Sequence, residues 1–503
     1  MFAAVDSCTL AGLHVRRVEV QADIAHGKPG FALVGLAATS VKEARERVRA
    51  AIKNTGLPFP GQRLTVNLAP AELRKEGSAL DLPIAVSIAL AGAGKKPPKR
   101  TAFLGELALD GAVGRVDGVL VAAIGLRKLG FEHVFVPAAN AAEAALVDGL
   151  AVTPCISLKA VVNHLLGFES IEPYVSTGPA ALLDTELPEL DLAEVHGQEE
   201  GRRALEIAAA GGHHLLLSGP PGAGKTMLAR CLPGILPALE LEEALEVAQV
   251  RSVLGELPGD RPLRWARPFR APHHGVSAAG LIGGGSGLAQ PGEISRAAHG
   301  VLFLDELAEF QTPVLQALRQ PLETGRVTIT RSGGSVSYPA GFTLVAATNP
   351  CPCGWVGDPL RTCRCTPGAI AVYQRKLSGP LLDRIDLKVG VRRIKLETLA
   401  SEPTGEGSAP VRERVVAART RQLARQGCLN AQLKPARLRQ IAGLEPSSRR
   451  LLERWAEQRG LTARGFHRAW RVARTSADLD GAEHIGERHI LEALGYRLQD
   501  VAA

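Results

Sequence analysis

The chain has 503 residues, which at ~100–200 residues per domain suggests about three domains. Apolar residues make up 46% and charged residues 22%, ordinary for a globular protein, while 4% aromatics argue against base stacking as a main mode of nucleic-acid binding. The net charge of +8 resides in residues 391–503, where 21 Lys and Arg (19 of them Arg) face 13 Asp and Glu; this suggests a polyanion surface there, the alternative being a solvated helical face.

No stretch reaches the ~18 consecutive apolar residues of a membrane span. The start, MFAAVDSCTLAGLHVRRVEV, lacks the basic region and apolar core of a secretory signal. The expectation is a cytoplasmic chain without membrane contact, whose eight Cys are reduced thiols or metal ligands rather than disulfides.

Residues 1–167 read as a mixed α/β domain. Val18, Val20, Ala22 and Ile24 alternate with other residues as in a half-buried strand, and Leu64, Val66 and Leu68 repeat the pattern. Residues 82–94 read as a buried helix, and 133–137 as a short strand stopped by Pro137. Residues 168–190 mix Pro, Ser, Thr, Gly and acids and read as a linker. Residues 191–392 alternate apolar strands with helical patterns, as in a parallel α/β sheet. After a second break at 401–410, the remainder of 393–503 reads as helical.

The strongest motif is G-x-x-x-x-G-K-T between an apolar strand and a helical run: Gly219, Pro220, Pro221, Gly222, Ala223, Gly224, Lys225 and Thr226. Glycines let backbone N–H groups approach phosphates, and the helix N-terminus adds partial positive charge. Lys225 is placed to reach the β- and γ-phosphates, and the Thr226 hydroxyl to ligate Mg²⁺. Two further apolar strands end in polar residues: Asp305 and Glu306 after GVLFL, and Asn349 after GFTLVAAT. Asp305 suits Mg²⁺, Glu306 suits polarisation of an attacking water, and Asn349 suits its positioning. Polar strand ends gathered on one edge follow the rule for ligand sites in open α/β sheets. Arg384, in LLDRID, can stabilise transition-state charge on a neighbour's γ-phosphate; the alternative is an internal salt bridge to Asp383 or Asp386.

Cys351, Cys353, Cys363 and Cys365 form C-x-C-x₉-C-x-C. Four thiolates suit tetrahedral Zn²⁺, although structural zinc pairs usually use C-x₂₋₄-C, and four free thiols are the alternative. The other four Cys are isolated and read as structural. His273 and His274, in RAPHHGVS, read as loop residues, with ligands or DNA contacts as the alternative, and Trp455 and Trp470 read as helical core.

Together these motifs resemble an AAA+ ATPase of the branch with magnesium chelatase and the MCM helicases. Residues 191–198 (DLAEVHGQ) look like the element preceding the P-loop, Asp305–Glu306 like Walker B, Asn349 like sensor 1, and Arg384 like the arginine finger. Arg464 looks like sensor 2, with Arg468 and Arg471 as neighbouring candidates. The segments PGFALVGL (29–36), KEGSALDLPIA (75–85), GEISRAAHGVLFLDEL (292–307), NPCPCG (349–354) and SGPLLDRID (378–386) extend the resemblance over nearly the whole chain, to the magnesium-chelatase-related family that includes the competence helicase ComM. That resemblance implies ATP and Mg²⁺ as cofactors, a homo-oligomeric ring, most often a hexamer, and sequence-independent DNA as partner, with branch migration during natural transformation as the activity. It also implies a Lon-protease-like N-terminal domain and a C-terminal helical lid. The nucleophile position of that protease fold falls on Asp81, and the segment 107–125 contains no Lys. The domain therefore reads as a scaffold without the Ser–Lys dyad, with Ser78 unmatched and Asp81 as a local cap. Residues 275–295 are Gly-rich and suit a mobile pore loop. Residues 325–341 read as a β-hairpin that in such helicases points into the channel, with Arg331 as a phosphate contact; a surface hairpin is the alternative. A chelatase-like or protein-remodelling ATPase shares every nucleotide residue and predicts a protein partner instead of DNA.

Overall fold

A computed structural model of the chain describes residues 1–35, 39–72, 75, 77–176, 178, 183–184, 190–259, 261–285, 289–331, 334–377, 381–394 and 405–497. In the first part, seven strands form one sheet in the order 30–34, 63–69, 14–25, 2–11, 101–103, 133–137, 151–155. The strand His14–Ala25 buries Val18, Val20, Ala22 and Ile24 because successive side chains point to opposite faces. The helix Asp81–Ala93 is buried almost all round and ends at Gly94 in the left-handed conformation (φ 64°). Part of the expected linker lies outside the described residues; Leu183–Asp184 within it pairs with Leu263–Arg264.

Asp81 is not a local cap. Arg47, on the helix Thr39–Asn54, donates to both of its carboxylate oxygens at 2.7 and 3.0 Å, and the Leu107 N–H adds a third bond at 3.3 Å. Burial pushes its carboxyl up despite that partner. Nearby, the Ser78 hydroxyl donates to Glu106, while the Lys75 ammonium donates to the Pro70 carbonyl.

The second part is a five-stranded sheet, 269–270, 301–304, 343–348, 215–218, 387–390, in which every described pairing is parallel. Its three inner strands are short, apolar and almost wholly buried, as a parallel sheet covered by helices requires. The last part is helical: 408–426, 435–441, 446–458, 463–479 and 487–495. Trp470 is buried in the core these helices share with the sheet, and Trp455 packs against it.

The arginine excess of this part is in good measure internal. Arg412 donates to the Gly234 carbonyl at 2.7 Å, Arg419 to Ala209 at 2.8 Å, Arg421 to Asp478 at 2.8 Å and Arg474 to Glu483 at 2.7 Å. Arg414 pairs with Glu206 and Glu406, and Arg425 with buried Asp478. The exposed positive charge concentrates in residues 434–464, where Lys434, Arg437, Arg439, Arg449, Arg450, Arg454, Arg459 and Arg464 face only Glu445, Glu453 and Glu457. No helix among the described residues is long and apolar enough to cross a membrane.

The hairpin forms from Arg326–Arg331 and Gly334–Pro339. Val327, Ile329, Val336 and Tyr338 are buried on one face, leaving Arg326, Thr328, Thr330 and Ser335 exposed on the other. Its buried face packs against the turn between the first two strands, where Gly12 (φ 63°) is required: a Cβ there would lie 2.0 Å from Val336 Cγ1. The Gly-rich stretch is more ordered than its composition suggests. It contains a helix, Ala278–Ile282, and a short ladder pairing Gly283–Gly284 with Gln290–Pro291, and residues 286–288 lie outside the described residues.

Candidate nucleotide site and cysteine cluster

Three parallel strands end on one edge of the sheet, and their polar ends converge. Ser218 leads into Gly219, whose N–H bonds the Thr348 carbonyl at 3.2 Å. Gly219 has no room for a side chain, since a Cβ would lie 2.1 Å from the Val391 carbonyl oxygen. Gly222 and Gly224 hold positive φ (74° and 91°), and the helix Lys225–Ile235 follows directly. Between these elements lies an open cavity of about 460 Å³, lined by Gly222, Lys225, Thr226, Asp305, Glu306 and Asn349 among others.

The Lys225 ammonium lies 2.6 Å from the Gly219 carbonyl, 3.0 Å from that of Pro220 and 3.0 Å from Asn349 Oδ1. Burial lowers its pKa, against the pull of Asp305 and Glu306. The Thr226 hydroxyl donates to Asp305 Oδ2 at 2.8 Å. A hydroxyl and a carboxylate touching at a helix N-terminus form a hard-oxygen pair suited to Mg²⁺. Glu306 takes the left-handed conformation (φ 52°) and is half exposed beside the cavity. Gln198, also at positive φ (54°), donates to the Ala223 and Arg392 carbonyls at 3.0 and 2.6 Å, tying the element before the P-loop to the loop itself.

Arg384 does not join this group. It precedes the strand Leu387–Gly390, and in a parallel sheet the start of a strand lies at the edge opposite the C-terminal ends that carry the cavity. Its guanidinium donates to Glu323, 61 residues away in the chain. Asp386 instead meets His213 Nδ1 at 3.0 Å and Arg468 at 3.5 Å, and His213 Nε2 lies 2.8 Å from Thr475. Burial works against its charge, yet His213 and Arg468 hold Asp386 down to about 2. Burial lowers Arg471, which also feels Asp386. Arg464 differs from both neighbours: it is exposed in the first turn of the helix Ala463–Leu479. Arg331 is the last residue of its strand, and its side chain lies outside the described residues.

Two further residues gain a place from the fold, one beside the cavity and one on the hairpin. His274 Nδ1 is 3.5 Å from Glu306, reaching it from the loop after the edge strand that pairs with 301–304. Arg326 projects from the exposed face of the hairpin, its Nε 3.1 Å from Ser337 Oγ. The spacing of RAPHHGVS does not say which histidine meets Glu306, and Arg326 sits in no local motif; the sheet order and the hairpin register place them.

The four cysteines come together. Cys351–Cys353, Cys351–Cys363 and Cys353–Cys363 sulfurs are 3.5, 3.7 and 3.5 Å apart, and all four lie within 4.8 Å of one another. Sulfurs at ~2.3 Å from a central zinc form a tetrahedron with edges of about 3.8 Å, so the donor set fits Zn²⁺. Backbone N–H groups of Arg364 and Trp355 hold the Cys353 thiol down to about 6. The cluster adjoins the nucleotide site: Gly354, at φ 83°, packs so tightly that a Cβ would lie 2.6 Å from Pro221 Cδ. Cys8, Cys155 and Cys231 are buried singly, as structural thiols are, and Cys428 is half-buried.

Three family models cover most of the chain: "Magnesium chelatase, subunit ChlI" at residues 191–399, "Subunit ChlI of Mg-chelatase" at 20–140, and "Magnesium chelatase, subunit ChlI C-terminal" at 405–497. The mixed α/β architecture, with its parallel sheet and helical C-terminal part, fits the AAA+ fold of magnesium-chelatase-like proteins. Among curated relatives, the competence protein ComM of Haemophilus influenzae is 43% identical over 502 residues, covering 98% of this chain and 97% of that protein. The YifB protein of Escherichia coli is 43% identical over 493 residues, 97% of this chain and 96% of its own. The magnesium-chelatase 38 kDa subunit of Rhodobacter capsulatus is 26% identical over 178 residues, 32% of this chain and 51% of the subunit. The chain belongs to the magnesium-chelatase-related ComM family.

Proposed function

We propose that the chain is one subunit of an ATP-hydrolysing ring, a hexamer, that drives branch migration of DNA taken up during natural transformation. The observation that carries this is the convergence of Lys225, Thr226, Asp305, Glu306 and Asn349 on one cavity, with Arg384 on the opposite edge of the same sheet. The family relationship to a competence protein supplies the biological setting. Residues 219–226 cradle the phosphates, and Lys225 leaves its carbonyl partners for the β- and γ-phosphates. Thr226 and Asp305 would hold Mg²⁺, which neutralises phosphate charge when bound. Glu306 polarises the attacking water and Asn349 orients it. Arg384 reaches the γ-phosphate of a neighbouring copy, and Arg464 contacts nucleotide from the lid. The cysteine cluster takes Zn²⁺ and rigidifies the loop behind Asn349.

The hairpin, through Arg326 and Arg331, and the basic surface of 434–464 contact DNA phosphates without reading sequence, so binding weakens steeply with salt. The N-terminal part is a Lon-like scaffold. Its Ser78 and Lys75 are each hydrogen-bonded elsewhere, which supports a non-proteolytic role.

The decisive assay is ATP hydrolysis by the purified chain, alone and with single-stranded, duplex or branched DNA, beside Lys225→Ala. DNA-stimulated turnover that falls at least ~100-fold in Lys225→Ala is expected. Turnover indifferent to every DNA overturns the motor reading and points to a protein partner, as for a chelatase-like or remodelling ATPase.

A further inference from the structure

The contact between Arg384 and Glu323 joins the two regions on which the proposed function depends. Arg384 is only 14% exposed, while Glu323 is 56% exposed. Glu323 is the penultimate residue of the helix Arg319–Thr324. That helix ends at Gly325 (φ 65°), and the next residue, Arg326, opens the hairpin. The joint is stiff: Thr324 Oγ1 lies 2.9 Å from the Arg326 carbonyl oxygen and accepts the Arg326 N–H at 3.3 Å, while the Ala340 N–H closes the hairpin base on the Gly325 carbonyl at 2.9 Å. Further along, the ladder from Arg326–Pro339 to Arg331–Gly334 runs without a bulge. The hairpin base and the Glu323 carboxylate that meets Arg384 are thus joined by a short, hydrogen-bonded segment of chain.

We infer that Glu323 is a positioning residue that restrains Arg384 within its own subunit, and that DNA on the hairpin frees the arginine for the neighbouring nucleotide. The inference rests on the reading of Arg384 as a trans-acting group and of the hairpin as DNA-facing. An ion pair with one half-exposed partner is weak enough to be broken by a second contact and strong enough to bias a two-state side chain. In the restrained state Arg384 meets a carboxylate; in the released state it meets a phosphate, a geometry the guanidinium fork matches equally well. Hydrolysis then responds to DNA because the arginine's release does.

The test compares wild type with Glu323→Gln, which keeps the helix and removes the charge, and Glu323→Asp, which keeps the charge and shortens its reach. In Glu323→Gln the DNA-free turnover rises about three- to tenfold at unchanged KM for ATP, while the DNA-stimulated rate stays near wild type, so the stimulation ratio falls. Glu323→Asp lies between. The double variant Glu323→Gln, Arg384→Ala loses turnover in both conditions, which shows that the gain passes through Arg384. Equal loss of turnover with and without DNA in Glu323→Gln overturns the inference, since the carboxylate then aids Arg384. So does an unchanged stimulation ratio. A wild type that no DNA stimulates overturns the motor reading, and with it release by DNA; restraint within the subunit is then upheld or overturned by the DNA-free rate of Glu323→Gln alone.

Discussion

The two edges of the central sheet behave differently. At the C-terminal edge, Gly219–Thr226, Asp305, Glu306 and Asn349 meet within one cavity, and the bonds among them are made inside one chain. At the N-terminal edge, Arg384 is directed away from that cavity, Asp386 is locked to His213 and Arg468, and His299 is held between two acids. A strand of four residues separates the edges, about 13 Å of chain. A side chain at the far edge cannot serve the cavity of its own subunit, but it can serve that of a neighbour stacked against it. On the proposed reading one edge binds nucleotide, and the other acts on the next subunit or holds the fold together.

Arg384→Ala is the sharpest attempt to break that division. It is expected to reduce turnover about 10³-fold or more while leaving ATP affinity within a few fold of wild type. Mixing it with Lys225→Ala is expected to restore measurable hydrolysis. On the proposed reading each variant alone is inactive, but a mixed ring would contain intact cavities facing intact arginines. Loss of ATP affinity in Arg384→Ala, or no recovery on mixing, would place the arginine in its own cavity and erase the distinction between edges.

The C-terminal edge was legible in the sequence because its chemistry sits in short contiguous stretches, each following an apolar strand. Gly219–Thr226, Asp305–Glu306 and Asn349 needed only the rule that parallel strands share one polar edge. The far edge was not legible. Glu323 lies 61 residues from Arg384, while the nearer Asp386 is engaged by His213 and Arg468. Arg47 and Asp81 are 34 residues apart, and nothing local distinguishes Arg47 from Arg45 or Arg49 as the partner. The arginines of the helical C-terminal part mislead for a related reason. Composition counts charge, but a guanidinium that caps carbonyls, as Arg412 does on Gly234, presents little of it to a polyanion. The cysteine cluster lies between these cases: the residues were evident and their spacing was not, because the turn-rich loop from Gly354 to Pro359 folds the two pairs together.

That cluster tests how local the C-terminal edge is. Cys351→Ser removes a buried thiol of the cluster next to Asn349. The purified wild type is expected to contain about one zinc per chain by elemental analysis, and the variant well below half of that. The midpoint of thermal unfolding is expected to fall by about 5 °C or more, and KM for ATP to rise, since Gly354 packs on Pro221. Stoichiometric zinc in Cys351→Ser, or none in the wild type, removes the metal from the account.

The smallest effect belongs to His299, which stands before the strand Val301–Leu304 at the N-terminal edge. Its Nδ1 lies 3.3 Å from Glu243, and Nε2 contacts Glu246. Burial disfavours the charged ring, but the two carboxylates raise it to about 9 from an ordinary 6.5. The folded state thus binds this proton more tightly than the unfolded chain. The resulting stability is fully present below pH ~6.5 and is lost as pH rises through ~9. With the ring 25% exposed, the contribution is about 1–3 kcal/mol after allowance for solvent screening. His299→Gln is therefore expected to lower stability by that amount at pH 6 and by little at pH 9.5, measured by urea unfolding across the range. KM for ATP should not move, because on the proposed reading this histidine belongs to the edge that holds the fold rather than the one that binds nucleotide. A variant whose deficit is the same at both pH values shows that the two acids hold the neutral ring. A variant that loses ATP affinity shows that the two edges are not separable.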